Sequence, residues 1–304
     1  MANMELFFTT VDVFTTTRYR GNPLAVVRVP ASLRNHVSED QKQKIAREFN
    51  LSETTFLHEP AEGDDVVDFD IFTPAARMSF AGHPTIGTAM YVSQHADTYC
   101  GIKKLRTIAG VIPFIDEEEA GKVTVGIPHD VYIHRARLPN PSSNISTNTV
   151  PIVSIVKGMA FGLAELPDLN VLAAMNGPLI PSADRYKREY LNIGSGWDVG
   201  YTGTFYFVDL GVDPVDGARL LRTRSIPLHE DPGTGSASAA LCCYLAITEN
   251  AKGRNSFHLT QGVEMGRRCD IYVTVTMKES GDGIEDVKLC GTAVKVMEGS
   301  LTVD

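Results

Sequence analysis

The sequence predicts an α+β protein of two similar domains, each a sheet wrapping one buried helix. Three observations point there. The chain has 304 residues, more than one core needs and comfortable for two. It carries two Gly-rich loops, Ala81-Gly82-His83-Pro84-Thr85 and Glu230-Asp231-Pro232-Gly233-Thr234-Gly235-Ser236, each followed by a run of small or apolar residues suited to a buried helix. Each half also repeats one order of events: strands, a Gly-rich loop, a small-residue helix, more strands.

The elements follow in chain order. Leu6 to Phe14 is rich in Phe, Val and Thr and reads as a strand, and Arg20-Gly21-Asn22-Pro23 is a turn before a short strand over Leu24 to Val29. Ser38 with Gln41 three residues on has capping-box chemistry, opening a helix with its apolar stripe at Ile45, Ala46 and Phe49 that ends near Asn50. A strand at Thr54 to His58 and an acidic loop at Glu62 to Asp65 precede the alternating strand Val67 to Phe72. The stretch from Thr85 to Val92 suits a buried helix, and strands dominate Arg106 to Ile127. Leu138 to Val150 is full of Pro, Asn and Ser, so the domain connection is expected in or just before it, giving domains 1–135 and 136–304. The second half reads as a strand and turn over Pro151 to Leu163, a helix at Leu169 to Met175, and a strand at Phe205 to Leu210. Asp216 to Arg222 reads as helical, the Asp231 loop leads into a helix through Ile247, and Ile271 to Met277 and Asp286 to Leu289 close the fold as strands.

Composition excludes several classes. Hydrophobic content of 43% and charged content of 21% are those of a globular protein. A net charge of −9 disfavours nucleic acid and anionic membranes as partners. No apolar run reaches the length of a membrane span, and the N-terminal segment lacks signal-peptide character, so a cytoplasmic location is expected. Five scattered cysteines argue against a disulfide framework, and no C-x-x-C pair accompanies His129 and His134, so no metal site is expected. Cys242 and Cys243 sit in an apolar run and read as buried structural thiols.

The chemistry concentrates in the loops. A helix N-terminus offers unbonded N–H groups and a positive dipole end, and Gly lets a ligand approach that backbone. Two such loops suit a carboxylate or oxyanion. His83 is held between Gly82 and Pro84 and suits donation to a substrate or proton relay; the competing role is a helix cap. Asp231 suits acceptance from a substrate amine or hydroxyl, with an N-cap role as rival. Ser236 suits donation to a carboxylate, with a first-turn serine as rival. From local sequence alone Glu53 reads as a surface carboxylate.

Taken together, the motifs resemble the phenazine-biosynthesis isomerase (PhzF-like) family, which has the diaminopimelate epimerase fold. The matching segments are Val11-Asp12-Val13-Phe14 with Arg20-Gly21-Asn22-Pro23, Asn50-Leu51-Ser52-Glu53-Thr54, Phe80-Ala81-Gly82-His83-Pro84-Thr85, Glu230-Asp231-Pro232 with Thr234-Gly235-Ser236, and Gln261-Gly262 with Met265-Gly266-Arg267. The resemblance implies two pseudo-equivalent domains, each a mostly antiparallel sheet around a central helix, with the active site between them and the final strand returning to the first domain. It also implies a homodimer, no cofactor, a small anionic metabolite as substrate, and a role in secondary metabolism. Glu53 corresponds to the family's proton-moving glutamate, and His83 and Asp231 to its other catalytic groups. Gly82, Gly233, Thr234, Gly235 and Ser236 then bind substrate.

Related racemases use a cysteine on each loop. Neither loop here contains one, and Cys242 and Cys243 fall about two turns into the helix. A single-carboxylate isomerase is therefore expected. An epimerase using Glu53 and Asp231, or a metabolite-binding protein without turnover, is the alternative. Arg77, Ser79 and Cys269 depart from the family pattern, and Arg77 is read as a surface ion-pair partner or an added cation near the site.

Overall fold

The computed structural model describes residues 4–61, 63–142, 148–226 and 229–303. Glu62 of the acidic loop and residues 143–147 of the Pro/Asn/Ser-rich stretch lie outside them. The chain forms two compact units, Met1–Gly126 with Cys290–Asp304, and Ile127–Leu289. The chain thus leaves the first unit ahead of residues 135 and 136, which lie inside a strand of the second.

The first unit runs β1 (Met4–Val13), β2 (Asn22–Val29), α1 (Glu39–Phe49), β3 (Thr54–His58), β4 (Val66–Phe72), the short β5 (Arg77–Met78), α2 (Gly82–Gln94), β6 (Lys104–Thr107), β7 (Gly110–Glu117) and β8 (Lys122–Gly126). The second runs β9 (Tyr132–Pro139), β10 (Thr149–Val156), β11 (Gly158–Glu165), α3 (Leu169–Ala174), β12 (Gly200–Val212), β13 (Arg219–Ser225), α4 (Gly235–Thr248), β14 (Arg254–Gln261), β15 (Cys269–Met277) and β16 (Ile284–Gly291). β17 (Ala293–Val303) belongs to the first unit, antiparallel to β1.

The pairing order is the same in both units. In the first, β1–β2 is antiparallel, β2–β3 parallel, β3–β4 antiparallel, β4–β6 parallel and β6–β7 antiparallel. In the second, β10–β11, β11–β12, β12–β13, β13–β14 and β14–β15 repeat that sequence of senses. Each parallel pair needs a crossover, and helices supply it at matching places: α1 and α3 in the first crossover, α2 and α4 in the second. The fold is thus two pseudo-equivalent, mostly antiparallel sheets, each around a central helix, of the diaminopimelate epimerase type.

Each sheet has two covered faces. On one face of the first, Leu6, Val27, Val29, Phe56 and Phe72 pack with Ala46 of α1. The other face holds α2, buried from Gly82 through Val92. α2 lies so close that a Cβ on Gly87 would stand 2.5 Å from Leu24 Cδ2 and 2.9 Å from Val13 Cγ2. α4 is the counterpart, buried from Gly235 to Cys243 and packed on β10, β11, β14 and β15. Helices buried on all sides need small or apolar residues all round, which is the composition both have. None of the helices among the described residues is long and apolar enough to cross a membrane.

Two points differ from the reading above: the last strand is β17, beyond the Asp286 to Leu289 strand read as closing the fold, and one element changes type. Asp216 to Arg222 is not helical: residues through Ala218 form a turn and β13 begins at Arg219. Asp213 and Asp216 accept from Val215 N at 2.8 Å and Ala218 N at 2.9 Å, and Gly217 takes φ +74°. Those Asx turns compete with helix, and pairing of β13 on both edges completes the strand.

Candidate active site

Glu53 and His83 meet within the first unit. The capping box opens α1 as expected, with Gln41 N donating to Ser38 Oγ at 3.2 Å and Ser38 N to Gln41 Oε1 at 2.8 Å. Asn50 closes α1 in the left-handed region, φ 50°, with its N–H on Ala46 O. Three residues later Glu53 stands directly before β3. From the other side, β5 leads to Ala81, whose extended backbone (φ −153°) starts α2, and His83 is the second helical residue. Its Nδ1 lies 3.5 Å from Glu53 Oε2, a contact at the outer edge of hydrogen bonding, with both side chains largely buried. Thr88 of α2 donates to Thr55 Oγ1 at 3.3 Å, tying the helix to the strand that begins next to Glu53.

Burial lowers the His83 pKa to about 3, opposed by the Pro23 backbone, so the imidazole is neutral at pH 7. Its Nε2 is buried with no hydrogen-bond partner among the described residues. The first helical bond of α2 is donated by Thr85 to Ala81 O at 3.3 Å, and Pro84 has no N–H. The N–H groups of Gly82 and His83 are therefore the open donors of this terminus.

Asp231, Gly233, Thr234, Gly235 and Ser236 lie in the second unit. Asp231 N donates to Ser225 O at 2.9 Å, anchoring the loop to the end of β13. Arg224 grips Glu230 through two hydrogen bonds of 2.8 and 2.7 Å, and its Nη1 donates to the carbonyls of Leu172, Ala173 and Met175 at the end of α3. The N-cap of α4 is Thr234, without a side-chain cap bond, so Asp231 is not the helix cap. Ser238 N makes the first helical bond, to Thr234 O at 3.0 Å, leaving the N–H groups of Gly235, Ser236 and Ala237 at the open terminus. Ser236, the second residue of α4, occupies the position that His83 holds in α2.

Other candidates resolve locally. Arg77 is bound to Asp70 and, at 2.9 Å, to Glu39, the ion-pair reading of that departure. Cys269 is buried with Sγ 3.7 Å from Arg267 O. Cys242 and Cys243 are buried, and burial pushes the Cys243 thiol up to about 12 and that of Cys242 well above its usual value. His134 accepts from Asn192 N at Nδ1 (3.2 Å), so its proton is on Nε2, 2.8 Å from Ser154 Oγ. Ser154 therefore receives a hydrogen bond and has no base there. No cluster of three metal-ligating side chains occurs among the described residues.

Two parts of this architecture escaped sequence reading. Gln261 was visible only as part of a matching segment, yet it is fully buried beneath the Asp231 loop. Arg224 carried no signal, because neither Glu230 nor the end of α3 marks it as their partner in local sequence.

Comparison with known proteins decides the family. The model of the phenazine biosynthesis-like proteins matches residues 11–142 and 224–299. This chain belongs to that family. An uncharacterized isomerase of Pasteurella multocida is 33% identical to it, covering 96% of this chain and 93% of its own. The trans-2,3-dihydro-3-hydroxyanthranilate isomerase of Pseudomonas fluorescens is 29% identical, covering 96% and 98%. The crystal structure of the Bacillus anthracis phenazine biosynthesis protein of the PhzF family superposes with a TM-score of 0.75 at 18% identity, covering 98% and 99%, a likeness of fold. The chain is an isomerase-type enzyme of this family.

Proposed function

We propose that this member of the family moves a proton within a small anionic metabolite, without a cofactor, with Glu53 as the single acid and base. The observation that carries the reading is the contact of Glu53 with a buried neutral His83 at 3.5 Å. Glu53 takes a proton from one carbon, and the same carboxyl returns it at another. His83 steadies the carboxyl group without neutralising it. The N–H groups at the start of α2 suit the negative charge that develops on the substrate, and Ser236 at the start of α4 suits donation to an anionic group. Asp231 orients the remainder. The absence of cysteine from both loops favours this chemistry over two-thiol racemisation.

The first compound to test is the one named for the Pseudomonas relatives, trans-2,3-dihydro-3-hydroxyanthranilate, followed by a panel of cyclic and amino acids. Glu53→Gln keeps the shape and removes the base. Turnover is expected to fall at least about 100-fold while ligand binding stays within a few-fold. Full turnover in the variant overturns the mechanism. Binding without turnover in both proteins supports the non-catalytic alternative.

A further inference from the structure

Beneath the second Gly-rich loop, the donors and acceptors of one buried side chain fix the direction of a hydrogen-bond chain. Gln261, at the end of β14, is fully buried. Its Oε1 lies 3.1 Å from Thr234 N and its Nε2 lies 2.7 Å from Asp231 O. A backbone N–H only donates and a carbonyl only accepts, so these two partners set the amide orientation without any reference to hydrogen positions. The second Nε2 proton points to Thr234 Oγ1 at 3.1 Å. Having accepted there, the hydroxyl sends its own proton to Asp231 Oδ2, 2.5 Å away. Gly262, next to Gln261, makes the approach possible. At φ +73° it is in the left-handed region, and a Cβ would stand 2.6 Å from Pro232 O and 2.5 Å from Arg267 O.

We infer that Gln261 and Thr234 are positioning residues, a directed relay from Gln261 Nε2–H through Thr234 Oγ–H to Asp231 Oδ2 that holds Asp231 as an ionised acceptor. A hydroxyl donated to one carboxylate oxygen favours the charged form, and a donor that is itself hydrogen-bonded does so more strongly. Nearby, Glu230 pairs with Arg224, and Glu264 pairs with Arg222 at 2.8 Å and with Arg224 at 3.9 Å. The consequence reaches the chemistry. Asp231 held as an acceptor orients a donor group of the substrate, which counts against its serving as the second acid of an epimerase. This step rests on the reading that Asp231 belongs to the site.

The test reads Asp231 directly, without substrate. The full chain labelled with ¹³C at aspartate carboxyls is titrated by NMR, as wild type, Thr234→Val, Thr234→Ser and Gln261→Met. The Asp231 midpoint is expected to rise by about one pH unit in Thr234→Val, by a smaller amount in Gln261→Met, and to stay put in Thr234→Ser, which keeps the hydroxyl. An unchanged midpoint in folded Thr234→Val, or a Thr234→Ser midpoint that moves as far as that of Thr234→Val, overturns the relay. If Gln261→Met loses its fold, the two Thr234 variants decide alone. Because no turnover is measured, failure here leaves the assignment of Glu53 standing, and failure of Glu53→Gln to impair turnover leaves the relay standing.

Discussion

Replacing Asp70 by Ala should be among the most damaging single changes in the first unit, although Asp70 touches none of the proposed site residues. Its carboxylate accepts from Lys42 Nζ at 2.5 Å and His58 Nε2 at 2.9 Å, and also from Arg77. The three partners are not equal. Arg77 is one-third exposed and keeps Glu39, so it re-solvates at little cost. His58 loses one acceptor, about 1 kcal/mol. Lys42 is only 5% exposed and would be left as a buried cation, a change that costs about 3–5 kcal/mol. The total is about 4–6 kcal/mol, and Lys42→Met in the same chain should recover most of the Lys42 share. Burial works against the Asp70 charge, but His58 and Lys42 outweigh it and hold the carboxyl well below its ordinary 3.8. A lowered folded value gives stability that is present above about pH 4 and lost as pH falls below it, so wild type and Asp70→Ala should converge only in acid. Urea unfolding, with hydrogen exchange at the amides of β3 and β4, measures the effect within this unit. A loss under about 1 kcal/mol, or no relief from Lys42→Met, would refute the assignment of Asp70 as a hub that fastens α1 to the sheet.

Three further outcomes are expected. His83 has a folded pKa of about 3 against an ordinary 6.5, so its protonation favours unfolding: wild type should lose stability progressively as pH falls from about 6.5 towards 3, and His83→Asn should lose less, as acid titration by circular dichroism would register. Native protein treated with iodoacetamide should remain unlabelled at Cys242 and Cys243 by peptide mass spectrometry, and Cys242→Ala with Cys243→Ala should keep turnover; labelling that tracks inactivation would contradict the structural role of these thiols. Gly262→Ala combines a left-handed backbone with two contacts near 2.5 Å, so a destabilisation of about 3 kcal/mol is expected by denaturant unfolding, and a neutral change would argue against the tight seat of the Asp231 loop.

Local sequence revealed the frame better than the constellation. The Ser38–Gln41 capping box, the Asn50 stop and the two Gly-led buried helices each depend on residues a few positions apart, and the structure has them as expected. The turn at Asp213 to Ala218 misled because aspartate side chains bonding their own backbone look, in composition, like a polar helix start. The approach of Glu53 to His83 spans thirty residues and depends on α2 packing against β3, which no local pattern encodes. Glu53 gained its role from the family motif around it. Lys42 shows the same limit from the other side. Among Gln, Lys and Arg on α1 it looks like a solvated cation, and only the strands carrying His58 and Asp70 make it an interior one.

The most direct test of the account is turnover in D₂O. With a substrate in hand, wild type should place solvent deuterium at the carbon that gains the proton, and Glu53→Gln should bind the same compound and incorporate none above background. Deuterium incorporation by Glu53→Gln at the wild-type rate would contradict the assignment of Glu53 as the residue that moves the proton.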